Sequence, residues 1–350
     1  MKVTLYFLLA SLFVGNAVFS QTLGGDAVFN FLRFPATPQL TALGGVNVSA
    51  TSNDVGLAFN NPSLLRKEMH TQLNSVFNSF YGGINSYNLN FGFRNEKLKT
   101  NFAGGLQYFD YGKIVETDAS GNQLGMIKPT DWVIQISASH HYLKKWNYGT
   151  TLKFISSNYG LYRSSGVAMD IGVLFHDSLF AASVVVKNVG FQLKKYTGTL
   201  SEELPFDVQA GVTKKLRDAP ISFSLTAQRL HQFDINYNDT VFNNLYGINN
   251  QSSFVQQLFN HLILAAQFYP TSSIELSMGY NHLRRNELNI ANATNGLNGF
   301  SMGVGVLLKK INFRYALAYY QNNTTYSQFG LNIKLNEYFG FGKFGERIFW

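Results

Sequence analysis

The sequence predicts an all-β protein: a transmembrane antiparallel β-barrel of about fourteen strands with an N-terminal plug segment. Charged residues make up only 14% of the chain and aromatic residues 15%, whereas soluble proteins carry about 25% charged residues. Segments that alternate apolar with small or polar residues recur from Thr71 onward, which is typical of strands with two different faces. A secreted β-sandwich would alternate in the same way, but so low a charge content is unusual for a soluble surface.

The chain divides into four parts. Residues 1–20 begin with Lys2, continue as an apolar run and end in small residues, a signal-peptide pattern whose alternative is an N-terminal anchor helix. After residue 20 there is no unbroken apolar run of ~18 residues, so helical membrane spans are excluded. We assign residues 21–70 to the plug, 71–335 to the barrel and 336–350 to a C-terminal tail.

The plug segment combines turn residues with short apolar pieces. Gly44, Gly45 and Gly56 permit backbone angles that side chains disfavour, and the stretches Asn53–Asp54 and Asn60–Pro62 favour turns. The apolar area between them is too small for independent folding. We therefore expect this segment to pack against the wall of the barrel.

The barrel prediction depends most on the links between strands. Long links (112–130, 189–204, 233–260 and 285–298) each follow an odd-numbered strand, whereas the links after even-numbered strands are short. Outer-membrane barrels have long outer loops and short periplasmic turns, so we expect an outer-membrane location with both termini periplasmic. The predicted strands are 71–80, 86–95, 100–111, 131–143, 147–159, 165–176, 179–188, 205–215, 220–232, 261–270, 273–284, 299–308, 311–321 and 325–335.

Catalytic chemistry is not indicated. The chain has no cysteine, which excludes disulfides, a thiol nucleophile and a lipid-modified cysteine. The seven histidines form no HExxH motif, and GxSxG, phosphate-loop and calcium-loop patterns are absent. We predict a protein that is not an enzyme and needs no metal or cofactor. The net charge of +8 suggests contact with phosphate-bearing lipid headgroups or an acidic partner.

Two groups of residues are candidate sites. The first is polar and points into the lumen, where it would form either a solute pathway or a hydrogen-bond network that holds the plug; its members are Asp54, Asn60, Asn61, Arg94 and Arg314. The second lies in the long links, where exposed aromatic side chains would bind a partner or fold over the barrel mouth; its members are Tyr196, Phe242, Leu245, Tyr246 and Phe254. A short amphipathic helix is predicted over 254–259.

A family resemblance adds to this interpretation. TALGG (41–45), ND (53–54) and LAFNNPSLL (57–65) occur in the order seen at the start of FadL-like outer-membrane barrels. With LPFDVQAGVTKKL (204–216) and SFSLTAQRLHQFDINYND (222–239), the chain resembles the PorV/PorQ family of the type IX secretion system of Bacteroidota. That resemblance implies a non-enzymatic outer-membrane component.

The resemblance also implies partners. Such a component would anchor a PorZ-like surface protein in the attachment complex with PorU and PorV, which joins secreted cargo to lipopolysaccharide. The alternative is a FadL-like transporter of hydrophobic solutes, and a third option is a shuttle that binds the C-terminal signal of secreted cargo. A transporter needs a continuous apolar channel, whereas an anchor can have a filled lumen.

Overall fold

The structure is a computed structural model that describes residues 27–118, 120–198, 201–235, 253–287, 296–321 and 324–339. In these residues fourteen antiparallel strands close into a barrel, with the first strand paired to the last. The predicted fold class and strand number are confirmed. The barrel strands are β1 (Gln72–Ser79), β2 (Asn85–Asn95), β3 (Thr100–Asp110), β6 (Thr130–Tyr142), β7 (Trp146–Tyr159), β8 (Tyr162–His176), β9 (Phe180–Lys194), β10 (Asp207–Lys215), β11 (Ile221–Ala227), β12 (Leu262–Thr271), β13 (Ile274–Asn281), β14 (Phe300–Leu307), β15 (Ile311–Gln321) and β16 (Thr324–Lys334). Two further strands, β4 (Ile114–Thr117) and β5 (Gln123–Ile127), form a separate hairpin.

The alternation in the sequence becomes two faces of the wall. In β14, Met302, Val304 and Val306 are exposed on the outside, while Ser301 is buried on the inside. Outward aromatic side chains pair near both ends of the strands, as in the pairs Phe77–Tyr87, Trp132–Phe154, Tyr280–Phe300 and Trp146–Phe175. An apolar band between two aromatic girdles is the outer surface of a membrane barrel. Among the helices of the described residues, none has the length and apolar character to cross a membrane.

The links differ between the two rims. One rim, here called the short-link rim, carries tight turns such as 143–145, 272–273 and 308–310. The other, the long-link rim, carries 111–129, 195–206, 228–261 and 282–299, together with three short links. The order of long and short links follows the sequence prediction, and it leaves the long-link rim uneven.

Residues 27–71 lie inside the ring of strands, and we call them the hatch. The hatch begins at the long-link rim, where Ala27 bridges to Glu203, and it ends at the short-link rim, where Thr71 bonds to Gly92. The sequence predicts a periplasmic N-terminus, yet the first described residue lies at the opposite rim from the C-terminal end of β16; residues 21–26 are outside the described part.

Five short helices build the described part of the hatch, and three of them begin at a polar cap. They are α1 (Pro38–Ala42) and the 3₁₀ turns Asn30–Arg33, Val55–Phe59, Pro62–Leu64 and Lys67–Met69. Thr37, Asp54 and Asn61 each accept a backbone N–H with the side chain at the start of a helix, which satisfies donors that a helix start leaves free. The turn residues of the sequence therefore act as caps.

Glycines on the inner wall let the hatch backbone approach closely. A Cβ at Gly149 would overlap the backbone of Pro62 and Ser63, and one at Gly279 would overlap that of Leu43 and Gly44. Only a residue without a side chain permits such contact. Gly92 meets the backbone of Met69 in the same way, and three further inward glycines meet side chains of the hatch: Gly172 meets Asn61, Gly303 meets Ala42 and Gly330 meets Pro38.

Several strand ends differ from the sequence prediction. β9 continues to Lys194 because a bulge at 187–188 restores its pairing with β8, so the following link is 195–206 instead of 189–204. β11 ends at Ala227, and β13 ends at Asn281. The links hold α2 (Phe254–Asn260) and α3 (His282–Glu287), and α4 (Asn336–Phe339) follows β16.

Candidate functional site

An arginine on the wall joins the hatch to two strands. Arg314 of β15 places Nη1 3.3 Å from Asp54 Oδ2 and Nη2 3.3 Å from Glu275 Oε2 of β13. The three side chains are 6%, 1% and 3% exposed. Asp54 also accepts the N–H of Gly56, so the charged group and a backbone turn are fixed together. Breaking a buried ion pair of this kind is costly, because the remaining charges stay buried without their partner.

Two successive asparagines of the hatch bind the opposite wall. Asn60 accepts a hydrogen bond from Lys187 Nζ at 3.1 Å, and its amide donates to the carbonyl of Asn47. Asn61 donates to Ser183 Oγ at 2.7 Å and to the carbonyl of Val48. The hatch is therefore tied both to β9 and to its own earlier turn.

The bulge in β9 places two successive residues on the inner side. Lys187 and Asn188 are both buried, and Asn188 has a φ of 58°. Asn188 Oδ1 accepts from Lys153 Nζ at 2.8 Å, while its N–H donates to Asp170. Lys153 also lies 2.6 Å from Asp170. A regular strand would direct one of the two outward, so the bulge assembles this cluster.

A cavity of about 260 Å³ lies between the hatch and the long-link rim. Hatch residues 32–36 and 44–46 line one side, the wall contributes Lys153 and Lys187, and α3 contributes Arg284. Arg284 donates to the carbonyl of Gly44, and its guanidinium lies 4.4 Å from the centre of the Tyr320 ring. This cavity combines cationic groups with apolar hatch residues, and we call it the cationic cavity.

A second cavity of about 130 Å³ adjoins the first, and we call it the aromatic cavity. Phe34 and Tyr320 line both. The Phe80 and Tyr326 rings stack with centroids 4.6 Å apart, and Phe34 meets Phe80 edge to face at 5.1 Å. Its lining is almost entirely aromatic: Phe34, Phe80, Ile84, Phe109, Tyr111, Tyr320 and Tyr326.

The aromatic cavity lies at the long-link rim. Phe80 and Ile84 belong to the link between β1 and β2, and Tyr111 begins the link after β3. The Tyr111 hydroxyl donates to Asp131 Oδ2 at 2.6 Å, so its polar end is already satisfied by the wall. What remains toward the cavity is a set of ring faces and edges, which favour apolar and aromatic ligands.

The predicted lumen residues fall into two places. Asp54 and Arg314 meet in the buried ion cluster, and Asn60 and Asn61 hold the wall from the hatch. Arg94 does not reach the hatch carboxylate; it bonds Glu96 and Asn101 near the short-link rim, where Glu96 is 77% exposed.

Two of the predicted loop residues, Tyr196 and Phe254, lie in links of the long-link rim. Tyr196 packs its ring on Tyr159, and burial raises the pKa of Tyr196 to about 12. Phe254 begins α2, is 66% exposed and packs on Phe233. Phe242, Leu245 and Tyr246 lie outside the described residues.

Sequence reasoning missed charged residues that belong to the site: Lys153, Asp170, Lys187 and Glu275. The alternation that places Arg314 in the lumen also applies to these four residues. Each is a charged residue within a strand, and the residues on either side of it face the lipid. The aromatic cavity gave no such signal, because its rings come from five separate stretches of chain. Within the described ranges, no group of three or more His, Asp or Glu side chains is arranged to hold a metal ion.

Hydrocarbon channels are among the solved structures that share this fold. The toluene transporter TodX of Pseudomonas putida aligns with a TM-score of 0.52 and 9% identity over 90% of this chain and 98% of that one. A deltaS2 mutant of TodX aligns with a TM-score of 0.53 and 9% identity over 87% of this chain and 98% of that one. The CymD monoaromatic hydrocarbon channel aligns with a TM-score of 0.50 and 12% identity over 87% of this chain and 97% of that one. The chain therefore shares the barrel fold of these channels. No protein-family model and no curated protein matches the chain.

Proposed function

We propose that this protein is an outer-membrane channel that takes up a small hydrophobic solute at its long-link rim. The aromatic cavity carries the proposal. Its volume of about 130 Å³ is close to the ~150 Å³ of an apolar protein cavity that stays dry and binds benzene. The structures that share this fold are described as channels for toluene and other monoaromatic hydrocarbons, so we infer the same solute class.

Passage through the barrel requires the hatch to move. Below the two cavities, Asn61 and Leu65 of the hatch bond inward polar groups of β9 and β6, and Met69 reaches the wall at Gly92. The apolar lining therefore ends at the hatch instead of continuing to the short-link rim. We infer that the solute first binds at the rim and that a change in the hatch then admits it.

Uptake in Gram-negative cells tests the proposal, because the lipopolysaccharide leaflet is a barrier that simple phospholipid vesicles lack. Cells that produce the protein are expected to take up radiolabelled toluene faster than cells with an empty vector, while uptake of a hydrophilic sugar stays the same. Folded protein in the outer membrane is verified from its altered mobility before and after heating on a gel. Folded protein without faster toluene uptake contradicts the proposal.

Anchoring of a surface protein in type IX secretion is our second proposal, and the β4–β5 hairpin supports it. The hairpin pairs only with itself, and Ile114, Leu124 and Met126 are 47%, 62% and 68% exposed. Exposed apolar side chains on a projecting hairpin suit a protein partner. With the family resemblance, this surface is a candidate for a PorZ-like protein and for the complex with PorU and PorV.

Co-purification from detergent-solubilised membranes tests the second proposal. Changing both Leu124 and Met126 to lysine is expected to release the surface partner while the barrel keeps its heat-dependent mobility. A matched change of Ser120 and Asn122 to lysine, at the polar tip of the same hairpin, is expected to retain the partner. If both variants co-purify with the same proteins as the unchanged chain, the hairpin is not the anchor.

A further inference from the structure

We propose that helix α2 and Phe233 lie in the membrane interface, where they complete the outer aromatic girdle over strands β10–β12. The partner of this surface is membrane lipid. The two independent grounds are the orientation of the helix and a gap in the girdle at the place where the helix lies.

Helix α2 directs its apolar side away from the protein. Phe254 is 66% exposed, Val255 59%, Leu258 46% and Phe259 48%. At about 100° per residue these four side chains cover one continuous arc of the helix surface, and the polar residues cover the other. An exposed apolar arc on a short helix is unfavourable in water and favourable at a lipid interface.

Polar contacts fix the other side of the helix. Asn260 is fully buried and accepts from the amide of Asn286 in α3 at 2.7 Å. His261 places its two ring nitrogens 2.7 and 3.0 Å from the carbonyl oxygens of Gln228 and Phe233, and the nitrogen that carries the proton donates to its carbonyl. Phe233 is held beside the helix, with its ring 5.4 Å from that of Phe254. The helix therefore cannot roll its apolar arc inward without breaking these bonds.

The girdle is interrupted below this helix. Around much of the long-link rim the strands carry outward aromatic rings in their outer halves, as in the pairs Phe77–Tyr87, Trp132–Phe154 and Tyr280–Phe300. On β10, β11 and β12 the outward positions nearest this rim are Val208, Ala227 and Leu262, and Ala210 lies opposite Ala227 in register. No strand residue of this sector supplies an aromatic ring at that level.

The C-terminal end of the helix adjoins this sector. Asn260 and His261 lead straight into Leu262, the first residue of β12, so α2 ends close to the level where the girdle would be. β11 has only 7 residues and β13 has 8, fewer than the ~9–11 that a tilted membrane strand needs. The rings that these strands lack would then come from Phe233, Phe254 and Phe259, of which Phe259 packs on His282 of α3.

Fluorescence quenching in lipid nanodiscs tests the proposal, and the absence of cysteine makes single-site labelling direct. Phe254→Cys and Leu258→Cys carry an environment-sensitive dye on the apolar arc, and Gln256→Cys carries it on the opposite side. Leu264→Cys is the reference inside the lipid, and Ser120→Cys, on the polar tip of the β4–β5 hairpin, is the reference in water. Quenchers are doxyl-labelled phosphatidylcholine from the lipid and iodide from the solution.

Dyes at 254 and 258 are expected to be quenched by the doxyl lipid, as at 264, and to show several-fold less iodide quenching than at 120. The dye at 256 is expected to remain accessible to iodide. If either labelled variant does not fold, Val255→Cys on the same arc replaces it. The proposal is overturned if dyes at 254 and 258 are quenched by iodide as strongly as the dye at 120 and are not quenched by the doxyl lipid. The apolar arc would then be a surface for a soluble protein partner.

Discussion

Replacing Arg314 with methionine is expected to lower the free energy of unfolding by roughly 3–5 kcal/mol, because it leaves Asp54 and Glu275 buried without their cation. The measurement is urea unfolding of the protein reconstituted in phospholipid vesicles. Cleavage of the hatch by a protease should increase in parallel, since Asp54 supplies the ion pair that joins the hatch, through Arg314, to β15 and β13.

Two matched variants make this result specific. Arg94→Met removes an arginine of the same strand system whose partner Glu96 is 77% exposed, and such exposed pairs contribute about 1 kcal/mol or less. Adding Asp54→Asn and Glu275→Gln to Arg314→Met removes the unpaired charges and should recover most of the lost stability. An Arg314→Met protein as stable as Arg94→Met would mean that the cluster does not hold the hatch.

Replacing Ile84 with tryptophan is expected to reduce toluene uptake roughly tenfold or more, equivalent to at least about 1.4 kcal/mol of binding free energy. Ile84 lines the aromatic cavity in the link between β1 and β2. An indole there would occupy the space that we assign to the solute. Uptake of radiolabelled toluene by cells that produce equal amounts of folded protein is the measurement.

The control is the same substitution on the outside of the wall. Ile136 lies on the lipid-facing side of β6 and is 64% exposed, so Ile136→Trp should leave uptake unchanged. Equal uptake by the two variants would show that the solute does not use the aromatic cavity. Any toluene uptake would then have to proceed through the neighbouring cationic cavity.

The fold was predictable because lipid and lumen impose opposite demands on neighbouring residues. In β14, Met302, Val304 and Val306 face lipid while Ser301 faces inward, and this period of two is visible in the sequence. Link length was equally visible, and with it the segregation of long links to one rim. Arg314 could be identified as lumenal by the same alternation.

The remaining features depend on contacts between distant segments. The bulge that turns both Lys187 and Asn188 inward depends on Asp170 and Pro205, which bond Asn188 from another strand and a link. The meeting of Asp54 with Arg314 spans 260 residues of sequence, and nothing local specifies it. The aromatic cavity is a further case, since its rings are ordinary strand-end residues until the barrel closes.

The inward glycines have a consequence for assembly of the chain. Gly149 and Gly279 lie on strands far apart around the circumference, yet both are moulded to the hatch backbone. The hatch precedes every strand in the sequence, and the seam between β1 and β16 needs the last strand. If the barrel closed first, the folded hatch would have to enter it through one rim. The sheet must therefore close around a hatch that is already in place. The hatch thereby acts as a template for the barrel wall.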